Sequence, residues 1–183
     1  MRIISGKLKR RSIFSSTNMS IRPTTDRHRE SLFNILSNMN VIMHAKVLDL
    51  YAGTGALGIE SLSRGAQSIV FVDYASEAIQ LIKKNIKLLK INDVTKVIQK
   101  DILKDLTYLN DNIFDLILMD PPYQYNYIEK TLSHIANQQF LNSNTLIVAE
   151  HAANESMHVP AIFQRFDSRQ YGKTKFSFFQ LRN

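Results

Sequence analysis

Apolar positions in this chain fall into short blocks that alternate between two periods. Lys46-Val47-Leu48-Asp49-Leu50, Ser68-Ile69-Val70-Phe71-Val72-Asp73, Val94 to Gln99, Phe114-Asp115-Leu116-Ile117-Leu118-Met119 and Thr145 to Glu150 are brief runs dense in aliphatic residues. Such runs predict strands buried on both faces. Helical spacing separates them: Ala56 to Ser63 reads as a short helix, and Ser76 to Leu89 as a longer one with Ala78, Ile79, Ile82, Ile86 and Leu89 on one face. Tyr127 to Gln138 reads as a further helix. An earlier helix starts after Pro23, with Thr24, Thr25 or Asp26 as N-cap and Leu32, Phe33, Ile35 and Leu36 as its apolar face, and it fades near Asn38. Strands alternating with helices predict a parallel α/β sheet. Ala161 to Arg169 and Phe176 to Leu181 have no helix between them, only Tyr171-Gly172-Lys173-Thr174, so they should pair as an antiparallel hairpin. The alternations Arg2-Ile3-Ile4 and Ser12-Ile13-Phe14 around Gly6 suit a small N-terminal β-hairpin. The chain thus divides into an arm, residues 1–22, and a domain, residues 23–183.

Composition narrows the chemistry. The 183 residues suffice for a full core and contain no cysteine, which excludes disulfides, thiolate metal sites and a cysteine nucleophile. Absence of cysteine fits a reducing cytoplasm, the expected location. His28, His44, His134, His151 and His158 show no ligand spacing, so no metal is expected. No apolar run approaches the ~20 residues that span a bilayer, and MRIISGKLKRRSI lacks the apolar core of a signal peptide. A soluble monomer without a membrane partner is the expectation. The net charge of +7 is unevenly placed. Residues 1–30 hold eight basic side chains (Arg2, Lys7, Lys9, Arg10, Arg11, Arg22, Arg27, Arg29) against Asp26 and Glu30, while the remainder nearly cancels. Basic charge gathered at one end points to a polyanion contact, the plain alternative being a solvated arm.

Asp49-Leu50-Tyr51-Ala52-Gly53-Thr54-Gly55-Ala56-Leu57-Gly58 follows a strand and opens a helix. Gly53 and Gly55 allow a tight turn with room for a ligand against the main chain, with Ala52 beside them. A carboxylate at Asp49 would repel a pyrophosphate and suits a cofactor with a cationic centre and an amino group. Asp73, ending the next strand, is placed for a ribose diol. Asp101, after the third strand, is placed for an adenine amino group, with Ile102 and Leu103 beside the ring or simply in the core. Three acids at three successive strand ends point to S-adenosylmethionine over a dinucleotide.

Asp120-Pro121-Pro122-Tyr123 ends the fourth strand. Its prolines stop strand and helix alike and stiffen the loop. A planar exocyclic amine is a poor nucleophile because its lone pair is conjugated into the ring. The Asp120 carboxylate and the Pro121 carbonyl can each accept an amine proton, turning the lone pair toward a sulfonium methyl. Tyr123 can stack on the extruded base for roughly 1–3 kcal/mol.

With both motifs, the chain resembles the bacterial 16S rRNA guanine-N2 methyltransferases of the RsmD type over nearly its whole length. The resemblance rests on Arg2-Ile3-Ile4-Ser5-Gly6, Arg22-Pro23-Thr24-Thr25-Asp26-Arg27 with Arg29-Glu30 and Leu32-Phe33-Asn34, the glycine loop through Ile59-Glu60 with Ser63-Arg64-Gly65-Ala66, Asp120-Pro121-Pro122-Tyr123, and Tyr171-Gly172-Lys173-Thr174. It implies a Rossmann-like class I methyltransferase fold: a seven-stranded sheet of order 3-2-1-4-5-7-6, strand 7 antiparallel, with helices on both faces. It also implies methylation of a guanine in the 16S rRNA of the small ribosomal subunit or its assembly intermediate. Asp49, Gly53, Gly55, Asp73 and Asp101 would then hold the cofactor, and Asp120 to Tyr123 the base. Tyr51 stands where Phe is more usual, and Asp73 where Glu is. Lys7, Lys9, Arg10 and Arg11 would hold RNA phosphates, with Arg22 near the target pocket or structural. The competing readings are an adenine-N6 or cytosine-N4 DNA methyltransferase, a protein-glutamine methyltransferase, and a non-catalytic RNA-binding assembly module. The chain leaves no room for a DNA-recognition domain, and the basic arm disfavours a protein substrate.

Overall fold

A computed structural model describes residues 1–15, 26–123 and 126–182. Seven strands, β1 (Lys46–Leu50), β2 (Ser68–Asp73), β3 (Thr95–Gln99), β4 (Leu116–Met119), β5 (Leu146–Ala152), β6 (Phe163–Tyr171) and β7 (Thr174–Leu181), form one sheet ordered β3-β2-β1-β4-β5-β7-β6. β1 to β5 run parallel, and β7 is antiparallel to both of its neighbours. The expected order and the closing hairpin are therefore both present. The order reverses between β1 and β4, and at such a point the loops leaving the carboxyl ends part to form a crevice.

The α-helices are α1 (Asp26–Asn38), α2 (Ala56–Ser63), α3 (Ser76–Leu89) and α4 (Tyr127–Ile135). Strand alternation sends side chains to opposite faces, and each face carries its own core. Val47, Phe71, Leu118 and Val148 meet Phe33, Leu36, Ile59, Ile82 and Ile86 from α1, α2 and α3. On the other face Leu48, Val72, Ile117 and Ile147 meet Ile128, Leu132 and Ile135 from α4. Between β3 and β4 the described chain has only a 3-10 turn, Thr107–Leu109, and Ile102, Leu106, Leu109 and Phe114 fill that face in place of an α-helix.

The N-terminal residues make a minimal hairpin, with a single bridge between Arg2 and Ser12. They are bolted to the domain. Buried Glu60 accepts from the Ile4 and Ser5 amides at 2.9 and 3.1 Å. The amide of Asn85 donates to the carbonyls of Phe14 and Thr54, and its Oδ1 accepts from Phe14 N–H at 2.7 Å. Ile3 and Ile13 enter the core shared by α1, α2 and α3. Gly6 takes a left-handed φ of 81°, and a Cβ there would lie 1.8 Å from the Ser63 carbonyl oxygen, so only glycine permits this approach. The N-cap expected at Thr24 or Thr25, and Arg22 with it, lie outside the described residues.

Candidate active site

A cavity of about 320 Å³ opens at the carboxyl edge of the sheet, between the loops after β1, β2 and β4, Glu150 of β5 and the first turn of α1. Its wall brings together Asp49, Ala52, Gly53, Asp73, Asp120, Pro121, Pro122 and Tyr123, eight positions singled out from the sequence. Gly55, Asp101 and Ile102 do not line it. Gly55, at φ 77°, starts α2, and the position of its missing Cβ faces Phe71, Ile59 and Ile82 at 3.3–3.4 Å, so it lets the loop sit close to the sheet. Asp101 lies in an exposed turn past the end of β3, where its carboxylate accepts from Leu103 N–H and pairs with Lys104. Ile102 is core, on the face covered by α4.

Register fixes the acids. Asp49 on β1 pairs across with Leu118 on β4, which pairs with Val148 on β5. Two residues onward, on the same face, come Asp120 and Glu150. Asp49 is fully buried, and its Oδ2 accepts from Gly58 N–H at 2.9 Å. Burial pushes its carboxyl up to about 8, against the pull of the Gly58 hydrogen bond and with a smaller push from the charge of Asp73. Asp73 clamps the loop: its two oxygens accept from Gly53 N–H and Ala75 N–H, each at 2.9 Å. Gly53 itself has φ 54°, and a side chain there would meet only the Tyr51 oxygen at 3.9 Å. The main chain of the loop is therefore open on that side.

Of the wall residues not assigned to the site from the sequence, five bear on its chemistry. Glu150, buried near the carboxyl end of β5, accepts from the Tyr123 hydroxyl at 3.1 Å, and Thr174 Oγ1 lies 3.3 Å from the same hydroxyl. Burial, and then the Glu150 charge, hold Tyr123 well above the ordinary phenol range, so it remains a neutral donor. Tyr51 adopts a left-handed φ of 61° and bonds through its hydroxyl to Thr131 at 2.6 Å. Burial pushes that hydroxyl up to about 12. His28 and Arg29 reach the cavity from α1. Glu150 follows the same strand-end rule as the other acids and was within reach of it; Thr174, His28 and Arg29 arrive only through tertiary packing. Among the described residues no group of side chains is arranged to hold a metal, and no helix is long and apolar enough to cross a membrane.

Lys7, Lys9, Arg10 and Arg11 are exposed. Arg10 has φ 68°, and the Arg11 guanidinium donates to the Leu88 carbonyl at the end of α3.

A family model described as "Conserved hypothetical protein 95" matches residues 1–180. The chain is 36% identical over 158 residues to "Ribosomal RNA small subunit methyltransferase D" of Buchnera aphidicola, covering 86% of this chain and 81% of that one. It is 31% identical over 182 residues to the Haemophilus influenzae protein of the same name, covering 98% and 93%. Among solved structures, "Putative methyltransferase yhhF from Escherichia coli" superposes with a TM-score of 0.85 at 30% identity, covering 99% of this chain and 97% of that one. The architecture is the Rossmann-like class I methyltransferase fold.

Proposed function

This chain belongs to the conserved hypothetical protein 95 family, that of the RsmD-type rRNA methyltransferases, and on that premise we propose that it methylates the exocyclic N2 amine of a guanine in small-subunit 16S rRNA, using S-adenosylmethionine. The observation that supports this most directly is the meeting of Asp120-Pro121-Pro122-Tyr123 with Asp49, Gly53 and Asp73 on one cavity wall.

The wall fits such a cofactor. Open main chain at Gly53 leaves room for it, and the buried carboxyl of Asp49, which forms no ion pair among the described residues, suits a group of positive charge. Asp73 is the ribose-facing acid, at the end of β2. Asp101, beyond the end of neighbouring β3, is assigned to the adenine edge. When bound, S-adenosylmethionine supplies a methyl group on a cationic sulfur that a nitrogen lone pair can displace.

The protein's part is positioning and proton handling. Asp120 and the Pro121 carbonyl accept the two amine protons, which breaks the conjugation of the lone pair and aims it at the methyl. The proton that nitrogen loses passes to the Asp120 carboxylate. Pro121 and Pro122 fix the loop so that this geometry exists before substrate arrives. Tyr123, held through its hydroxyl by Glu150 and Thr174, offers its ring to the base. Lys7, Lys9, Arg10 and Arg11 contact backbone phosphates, which set register without reading sequence. Arg22 is assigned to the same contact.

The test is to incubate the purified protein with methyl-labelled S-adenosylmethionine and small ribosomal subunits lacking guanine-N2 methylation, then digest the RNA to nucleosides. Label in N2-methylguanosine is expected. Label in another base would discard the guanine assignment, and an unlabelled RNA the RNA substrate.

A further inference from the structure

Arg29 lies in the first turn of α1 with 1% of its surface exposed, and it lines the cavity. Its Nη2 donates to the Arg2 carbonyl at 2.6 Å and to Asp26 Oδ1 at 3.0 Å. Its Nε and Nη1 are buried and, among the described residues, have no acceptor. A guanidinium is a permanent cation with five N–H donors, and burying donors without acceptors costs free energy. Asp26 compensates only in part, because its side chain is 50% exposed and water screens its charge. A buried cation with donors to spare in a cavity wall is suited to an anionic acceptor.

The other charges on the wall say which acceptor. Asp49, Asp73, Asp120 and Glu150 all line this cavity, and among its described lining residues Arg29 is the sole Lys or Arg. S-adenosylmethionine carries two cationic groups, the sulfonium and the ammonium, and one anionic group, its carboxylate. The acidic side chains suit the cations and not the carboxylate. The permanently charged guanidinium attracts it, and charge-assisted hydrogen bonds of this kind are the strong ones. Resting on the cofactor reading above, we propose that Arg29 binds the carboxylate at the amino-acid end of the cofactor through Nε and Nη1. With Asp49 on the opposite charge, the site would recognise a zwitterion from both ends. α1 would thereby belong to the cofactor site, although it precedes the glycine loop in sequence and lies outside its motif.

The proposal is tested by calorimetry without RNA, comparing S-adenosylhomocysteine with its decarboxylated amine analogue, in which hydrogen replaces the carboxylate. Wild-type protein should lose affinity on the order of 10–100-fold with the analogue. Arg29→Met should bind S-adenosylhomocysteine correspondingly weakly and distinguish the two molecules by less than about threefold on the same scale. Arg29→Lys, which keeps the charge and the apolar stem, should discriminate at an intermediate level and covers the case in which the Met variant fails to fold. Wild-type indifference to the carboxylate overturns the proposal. So does undiminished discrimination in either folded variant, which would leave the guanidinium for RNA phosphate or the base. If wild-type protein binds neither molecule, the cofactor reading itself falls and takes this inference with it.

Discussion

Asp49 and Asp120 lie on the same face of neighbouring strands, yet burial gives them different work. Asp120, half-buried on the cavity wall, is the proposed amine acceptor, and Asp120→Ala should lower turnover by far more than tenfold while sparing cofactor affinity. Activity within tenfold of wild type, measured with label transfer under saturating cofactor, would remove its role in amine activation. Asp49 is a matter of protons. Its folded value near 8 stands above the roughly 3.9 of an unfolded aspartate. Its contribution to stability is therefore complete below about pH 4 and is lost as the pH rises through 8. Asp49→Asn should melt higher than wild type at pH 8, each kcal/mol giving about 2–4 °C for a domain this size, with the gap closing toward pH 4. A gap that is constant across pH would refute the buried, neutral carboxyl. At this scale the sequence revealed the residues that announce themselves by position: acids at strand ends, glycines in a turn, prolines after a strand. Arg29 and Thr174 stayed hidden because each is ordinary within its own element and acquires meaning only from what packs beside it.

At the scale of elements, every strand and α-helix of the described chain was visible as a hydrophobic block, because each buries a face against the sheet. The ends were less visible. β5 runs on to His151 and Ala152, and β7 begins at Thr174, because these residues pair with each other across the sheet, His151 with Lys175 and Ala152 with Thr174. Nothing in the local pattern encodes a partner 22 or more residues away. α4 stops at Ile135, before the expected Gln138, once its apolar face has reached the core. β3 is an edge strand with little burial, so the acid beyond it, Asp101, ends in an exposed turn and not on the cavity wall. α2 packs closely on β2. A Cβ on Gly58 would lie 2.4 Å from Phe71 Cε1 and 2.9 Å from Ile69 Cγ2. Gly58→Ala should cost about 1–3 kcal/mol, read as a lower melting temperature. It should also weaken cofactor binding, because the Gly58 amide holds Asp49; unchanged values for both would mean that the two elements part more readily than their packing implies.

At the scale of the whole molecule, charge and architecture converge. The basic side chains at the start of the chain belong to a segment fixed to α2 and α3 through Glu60, Ser63 and Asn85, so they form a placed surface and not a trailing arm. Replacing both Arg10 and Arg11 with Ala should reduce the slope of log affinity for RNA against log salt by about two, one per phosphate contact. An unchanged slope would make these arginines bystanders to RNA. The docking of this segment also orders events during synthesis. Residues 1–14 leave the ribosome before the groups that dock them on α2 and α3, which stand 55 to 77 residues further along the chain. Until Glu60, Asn85 and Leu88 have emerged, the amides of Ile4, Ser5 and Phe14 have only water to bond. This segment must therefore wait, positively charged and undocked, beside a particle made largely of RNA, and it closes onto its domain only after α3 exists to receive it.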